Sequence, residues 1–130
     1  FTFHSTNARA TRFEEAAREV LSAVTSLDDG ADGAGFLTGR VRGAMPAGQR
    51  QEVLRPVGAR DGRLKIVSNC RVLGEGVDVP AVDLVVFADA KQSHVDILQC
   101  MGRASRLAAG KEYGFVLVPV SELNSGAFLG

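Results

Sequence analysis

Four residues near the end of the chain, Gln99, Gly102, Arg103 and Arg106, have the types and spacing to handle a phosphate. Arg103 and Arg106 stand three positions apart, so on one helical turn both guanidiniums project the same way. A guanidinium matches phosphate oxygens through paired hydrogen bonds. Upstream, L-G-E-G-V-D-V-P holds a second cluster, with Gly74, Gly76, Asp78 and Pro80. The glycines free the backbone for close approach to a ligand, and Pro80 stiffens the loop that carries Asp78.

Alternating strands and helices must position these groups. Phe1 to Ser5 reads as a short strand, with Phe1 and Phe3 on one face. Ser5 to Asn7 offers an N-cap for a helix from about Ala8 to Thr25, with Phe13, Ala17, Val20, Leu21 and Val24 on its inner stripe. Ser26 to Gly35 is a glycine- and aspartate-rich loop lacking the glutamate that closes a calcium-binding EF-hand. Phe36 to Met45 gives a strand weakened by Gly39 and Gly43, and Pro46 opens a helix to about Val57 at its first turn. Ala59 to Arg63 turns the chain into a strand from Leu64 to Ser68.

The run Val82 to Ala88 is nearly all apolar, as expected of a strand covered on both faces. Ser93 caps a helix from Val95 to Met101, and Glu112 to Val118 forms the last strand. The alternation predicts an α/β fold, a three-layer sandwich around a mainly parallel sheet. Functional groups in such sheets gather at the carboxyl ends of strands, where His4–Thr6, Asn69–Arg71 and Asp89–Lys91 fall.

Composition narrows the options. With 130 residues the chain makes one domain, and 45% hydrophobic with 23% charged residues is ordinary for a globular protein. Fifteen basic residues balance fifteen acidic ones, so any nucleic-acid contact must be local rather than steered by a global field. Cys70 and Cys100 form neither a disulfide framework nor, with His4 and His94, a zinc spacing; no metal site is expected, and the thiols fit a reduced, cytoplasmic setting. No apolar run approaches membrane-spanning length, so no membrane partner is expected. Phe1 stands where a methionine would open a complete chain, which suggests a piece of a longer protein.

G-E-G-V-D-V-P followed by Q-C-M-G-R-A-S-R resembles motifs V and VI of the superfamily 2 helicases and translocases, a group including the DEAD-box proteins and restriction-enzyme motors. Gln99, Gly102, Arg103 and Arg106 fill every fixed place of Q-x-x-G-R-x-x-R. The resemblance implies a RecA-like (P-loop NTPase-like) helicase C-terminal lobe over residues 1–119, with 120–130 a tail or the start of a linker. It implies that Arg103 and Arg106 are arginine fingers, that Gln99 orders the γ-phosphate or the attacking water, and that Asp78 and Gly76 meet the ATP ribose. Those fingers and glycines would act on ATP with magnesium, bound mainly by an N-terminal RecA-like lobe of the same parent chain.

His4, Ser5 and Thr6 sit where motif IV approaches a nucleic-acid backbone, although Ser5 or Thr6 serving only as helix cap fits equally well. Asn69, Cys70 and Arg71 follow a strand where many relatives carry Thr-Asp; Cys70 departs from that threonine and Cys100 from a common arginine. The segment G-A-M-P-A-G-Q-R resembles a family G-x-M-x-x-x-x-R step ending at Arg50, which reads equally well as a solvated helix charge. G-E-G-V-D-V-P and Q-C lean toward restriction-type and bacterial DNA helicases, and so toward DNA. No G-x-x-x-x-G-K-[ST] loop occurs, so the lobe alone is expected to be inactive on ATP. The competing reading is a non-catalytic RecA-like binding module that docks on nucleic acid or a partner protein. An unrelated dinucleotide-binding fold lacks its G-x-G-x-x-G after the first strand, and a nuclease lacks a catalytic cluster of Asp, Glu and Lys.

Overall fold

A computed structural model describes residues 1–27, 35–70, 82–89, 94–106 and 108–118. In chain order the elements are β1 (Thr2–His4), α1 (Asn7–Leu27), β2 (Phe36–Val41) and α2 (Ala47–Leu54). A 3-10 turn over Arg55–Gly58 extends α2, and β3 (Leu64–Cys70), β4 (Leu84–Phe87), α3 (His94–Ala104) and β5 (Phe115–Leu117) follow. The described strands form one five-stranded sheet in the order β2-β3-β1-β4-β5, each neighbouring pair parallel. The expected parallel α/β sheet is therefore present, with β1 at its centre.

Strand β2 shows how the layers form. Thr38 and Arg40 bond to residues of α1, whereas a Cβ on Gly39 would stand 2.9 Å from Val53 Cγ1 of α2. Successive strand residues face opposite sides, so α1 and α2 cover opposite faces. Gly39, read in sequence as a weak point, is where α2 comes close.

The core is apolar on one side of β1 and polar on the other. Phe1 and Phe3 pack with Val67, Val85 and Phe87, and the Phe3 and Phe87 rings lie 5.8 Å apart at 33°. On the opposite face Thr2 and His4 are equally buried. Thr2 Oγ1 donates to Ser68 Oγ at 2.9 Å and lies 3.0 Å from His4 Nε2, while the His4 ring packs 5.0 Å from Phe13. Buried hydroxyls and imidazole are tolerated because they satisfy one another.

Helix α1 is turned from its expected face. Ala10 and Glu14 are buried, and Phe13, Ala17 and Leu21 half-buried, but Val20 and Val24 are 60% and 55% exposed. The cause is Glu14, whose carboxylate pairs with Arg18, accepts from Thr38 Oγ1 at 3.2 Å and lies 3.7 Å from Arg40 Nη1. A carboxylate enclosed with partners displaces the valines from the sheet-facing stripe.

Other boundaries shift less. Pro46 is the N-cap of α2 rather than its first helical residue. β4 is shorter than expected and is not covered on both faces, for Leu84 is 40% exposed beside the edge strand β5. β5 pairs only over Phe115–Leu117 because the chain before it is pressed against the end of α3 at Gly114. Ser93, the loop residues 28–34 and the tail 120–130 lie outside the described residues. Among the described residues no helix is long and apolar enough to cross a membrane.

Candidate nucleic-acid and nucleotide interfaces

Parallel register brings the carboxyl ends of three strands together. His4 stands beside Cys70, and Phe3 beside Phe87, so Ser5 and Asp89 emerge at the same edge. The Asp89 carboxylate accepts from the Ser5 backbone N–H at 2.7 Å and from Ser5 Oγ at 3.1 Å, and it pairs with the Arg9 guanidinium. Burial pushes its carboxyl up, but those hydrogen bonds and the Arg9 charge outweigh burial and hold it below the ordinary carboxylate range.

Thr6 is the true N-cap of α1. Its Oγ1 accepts from the Arg9 backbone N–H at 3.2 Å, filling one of the donors a helix start leaves open. Cys70 Sγ reaches the Ser5 carbonyl at 3.4 Å, a weak thiol bond that ties β3 to the same turn. His4 and Asn69 behave differently from their expected role at the edge. Asn69 is fully buried and donates its amide to the Thr2 carbonyl at 2.9 Å. Burial lowers the His4 pKa below its ordinary 6.5, with the Asp89 charge opposing and the Arg9 charge reinforcing that shift. Both brace the strand ends from inside and leave Ser5 and Thr6 at the surface. Arg71 lies outside the described residues, and Arg50 folds back to donate to the Met45 carbonyl at 3.3 Å.

The second cluster lies elsewhere. Helix α3 starts beyond the carboxyl end of β4 and returns toward its amino end. There the Arg106 carbonyl accepts from Lys111 Nζ at 2.8 Å, and the same ammonium donates to Val82 at 2.6 Å. Val82 and Asp89 bracket β4, about 23 Å of extended chain. Among the described residues, Ser5, Thr6 and Cys70 thus lie at one end of β4 and the Arg106 backbone at the other.

Gln99, Gly102 and Arg106 are exposed along and after α3. Ser105 closes the helix, its N–H donating to Met101 at 3.1 Å and its hydroxyl to Gly102 at 3.0 Å. A Cβ on Gly102 would meet nothing within 4 Å, so packing inside this chain does not require glycine there. Arg103 belongs to α3 but its side chain lies outside what is described, as do Gly76 and Asp78 entirely. The Gln99 amide both donates and accepts and the Arg106 guanidinium only donates, types suited to water and to phosphate oxygens.

Sequence reasoning placed Asp89 at the strand edge without giving it a role, and passed over Arg9 and Lys111. Asp89 lies 84 and 80 positions from its partners Ser5 and Arg9, and Lys111 lies 29 from Val82, so no local pattern signals these contacts.

The helicase conserved C-terminal domain family matches residues 4–108. Over 63 residues the chain is 36% identical to the ATP-dependent DNA helicase MPH1 of Pyricularia oryzae, covering 48% of this chain and 6% of that protein. Over 68 residues it is 38% identical to the UvrABC system protein B of Enterococcus faecalis, covering 48% of this chain and 10% of that one. The chain therefore spans a tenth or less of the length of these curated relatives. Among solved structures, the ATP-dependent Type ISP restriction-modification enzyme LlaBIII bound to DNA superposes with a TM-score of 0.63 at 34% identity, covering 92% of this chain and 8% of that one. Parallel strand order, the Q-x-x-G-R-x-x-R helix and this match over most of the sequence agree: the chain is RecA-like and belongs to the helicase conserved C-terminal domain family.

Proposed function

We propose that this domain is the second lobe of an ATP-dependent nucleic-acid helicase or translocase, working on DNA. The observation that carries the reading is the division of the candidate residues between the two ends of β4. One end offers Ser5, Thr6 and Cys70 from the turns after β1 and β3, with Arg71 next in sequence; the other offers Arg106 at the close of the motif VI helix. A motor lobe needs both, because it must hold a track and answer to a nucleotide.

At the nucleotide end, Arg103 and Arg106 supply positive charge to the γ-phosphoryl group as it transfers to water, and Gln99 orders that phosphate or the water. Phosphoryl transfer depends on positioning and charge stabilisation, and an arginine from a neighbouring lobe accelerates it by about a thousandfold or more. Asp78 and Gly76 receive the ribose. Magnesium held with ATP by a first lobe would neutralise phosphate charge, and this chain's part would be to add the Arg103 and Arg106 guanidiniums. The exposed, uncrowded Gly102 supports a surface built for close approach by another body.

At the track end, Thr6 caps Arg9 through its oxygen and keeps its hydroxyl proton for a backbone phosphate, while Ser5, whose N–H and hydroxyl donate to Asp89, meets a phosphate only by exchanging that carboxylate for it; His4 and Asn69 brace the turn from beneath. Such contacts read charge and shape, so binding is sequence-independent and weakens with salt. The relatives support DNA through what their names state, a DNA helicase and a restriction enzyme bound to DNA.

The test is ATP hydrolysis by the full-length parent with and without duplex DNA, beside its Arg103→Ala variant. DNA-stimulated turnover that falls about a hundredfold or more in the variant is expected. An active parent indifferent to the change would remove Arg103 from the reaction. A parent with no hydrolysis on any nucleic acid would return the lobe to a binding module.

A further inference from the structure

The turn after α3 fastens that helix to the base of the sheet. Lys111 Nζ donates to the Arg106 carbonyl at 2.8 Å and the Val82 carbonyl at 2.6 Å. Arg106 is the last fixed residue of Q-x-x-G-R-x-x-R, and Val82 immediately follows residues 71–81, which carry Gly76 and Asp78. One ammonium therefore links the exits of both segments assigned to the nucleotide.

Two independent features press the same turn into place. Gly114 lies so close to the Ala104 carbonyl that a Cβ would collide with it, and would also stand 3.2 Å from the Ser105 N. Gly110 adopts a left-handed φ of 74°, and the Arg60 guanidinium fills the space a side chain there would take. The chain around Lys111 is thus fixed at both ends, against Arg60 at Gly110 and against the end of α3 at Gly114. An ammonium suits this place because it has three donors, no fixed plane, and a charge matched to the negative end of a helix.

We propose that Lys111 is a positioning residue for ATP hydrolysis, holding the Arg106 backbone against Val82 at the start of β4. The proposal rests on the arginine-finger reading above. Without the ammonium both carbonyls turn to water, and the Arg106 backbone is no longer referred to the start of β4. A displacement of about 1 Å at a catalytic group is enough to lower turnover about a hundredfold.

The experiment compares DNA-stimulated ATP hydrolysis and thermal melting of the full-length parent with Lys111→Met, Lys111→Gln, Lys111→Arg and Arg106→Ala. Lys111→Met is expected to lower kcat about 10- to 100-fold, with KM for ATP and affinity for DNA within about twofold of the parent. Lys111→Arg, which keeps the charge but carries its donors on a fixed plane, is expected to restore part of kcat. Lys111→Gln, with two amide donors but no charge and a shorter reach, is expected to fall between, and it decides the matter if the methionine variant does not fold. Parental kcat in the folded methionine or glutamine variant, beside a crippled Arg106→Ala, overturns the role of Lys111 alone. An unaffected Arg106→Ala overturns the finger reading and the proposal with it. A kcat loss that only follows lost melting temperature, or that arginine does not rescue, reduces Lys111 to a structural tie.

Discussion

Ser5 and Asp89 are joined by two hydrogen bonds, 2.7 Å from the backbone N–H and 3.1 Å from the hydroxyl, across 84 positions of sequence. This contact ties the β1–α1 turn to the end of β4, where the chain sets out for α3. One carboxylate thus fixes the candidate track-binding turn, and the Arg9 of α1, to the end of the strand that precedes the motif VI helix in sequence.

Asp89→Ala leaves the Ser5 N–H and the Arg9 guanidinium without their acceptor. Urea unfolding should show a loss of about 2 kcal/mol, within the usual range for a charge-assisted bond. Asp89→Asn keeps an acceptor and should lose about half as much. A variant as stable as the parent would show that water replaces the carboxylate at no cost.

His4 gives the domain a pH dependence with a definite sign. Its folded pKa lies below the ordinary 6.5, so the unfolded chain binds the proton more readily. Its contribution to stability is complete above 6.5 and is lost as pH falls from there through the folded value. Denaturant midpoints between pH 7.5 and 5 should decline in the parent and decline less in His4→Gln. Equal slopes would assign the acid sensitivity elsewhere.

Two glycines in the same region should respond oppositely to alanine. Gly102 is exposed on α3 with open space around it, so Gly102→Ala should stabilise the fold by about 0.5–1 kcal/mol. Turnover of the full-length parent should nevertheless fall if that face meets the nucleotide or the first lobe. Gly114→Ala must push back the Ala104 carbonyl and should cost about 3 kcal/mol or prevent folding. Calorimetry separates the two, and equal melting temperatures would contradict the packing described.

The rotated face of α1 is open to a similar check. Glu14→Ala leaves Arg40, only 25% exposed, beside an empty position, and should cost about 3 kcal/mol. Val20→Lys and Val24→Glu lie on the solvent side and should each change stability by about 0.5 kcal/mol or less. Large losses at the valines would place them under a covering partner.

The element order, the parallel sheet and the motif VI helix were legible because each is written locally, in apolar runs, a glycine turn and the spacing of Gln99, Gly102 and Arg106. The face of α1 was not, because periodicity ranks Val20 and Val24 above Glu14 and cannot see Thr38 and Arg40 arriving from β2. The same limit hid the interior places of His4 and Asn69, which a strand-end position alone would have put at the surface. Lys111 is the clearest case. Its value comes from where β4, α3 and the β5 lead-in meet, a relationship that no spacing encodes.

The central place of β1 bears on how the chain folds. β1 is made before both of its sheet neighbours, which lie 66 and more residues downstream, since Thr2 meets Ser68 and Val86. Until β3 and β4 exist, β1 has no ladder to join, and α1 has little of the sheet to lie against. Closing such long loops slows folding relative to local pairing. A nascent chain halted before residue 64 would hold β1 and β2 without the strand that separates them, and should stay sensitive to protease until β3 emerges.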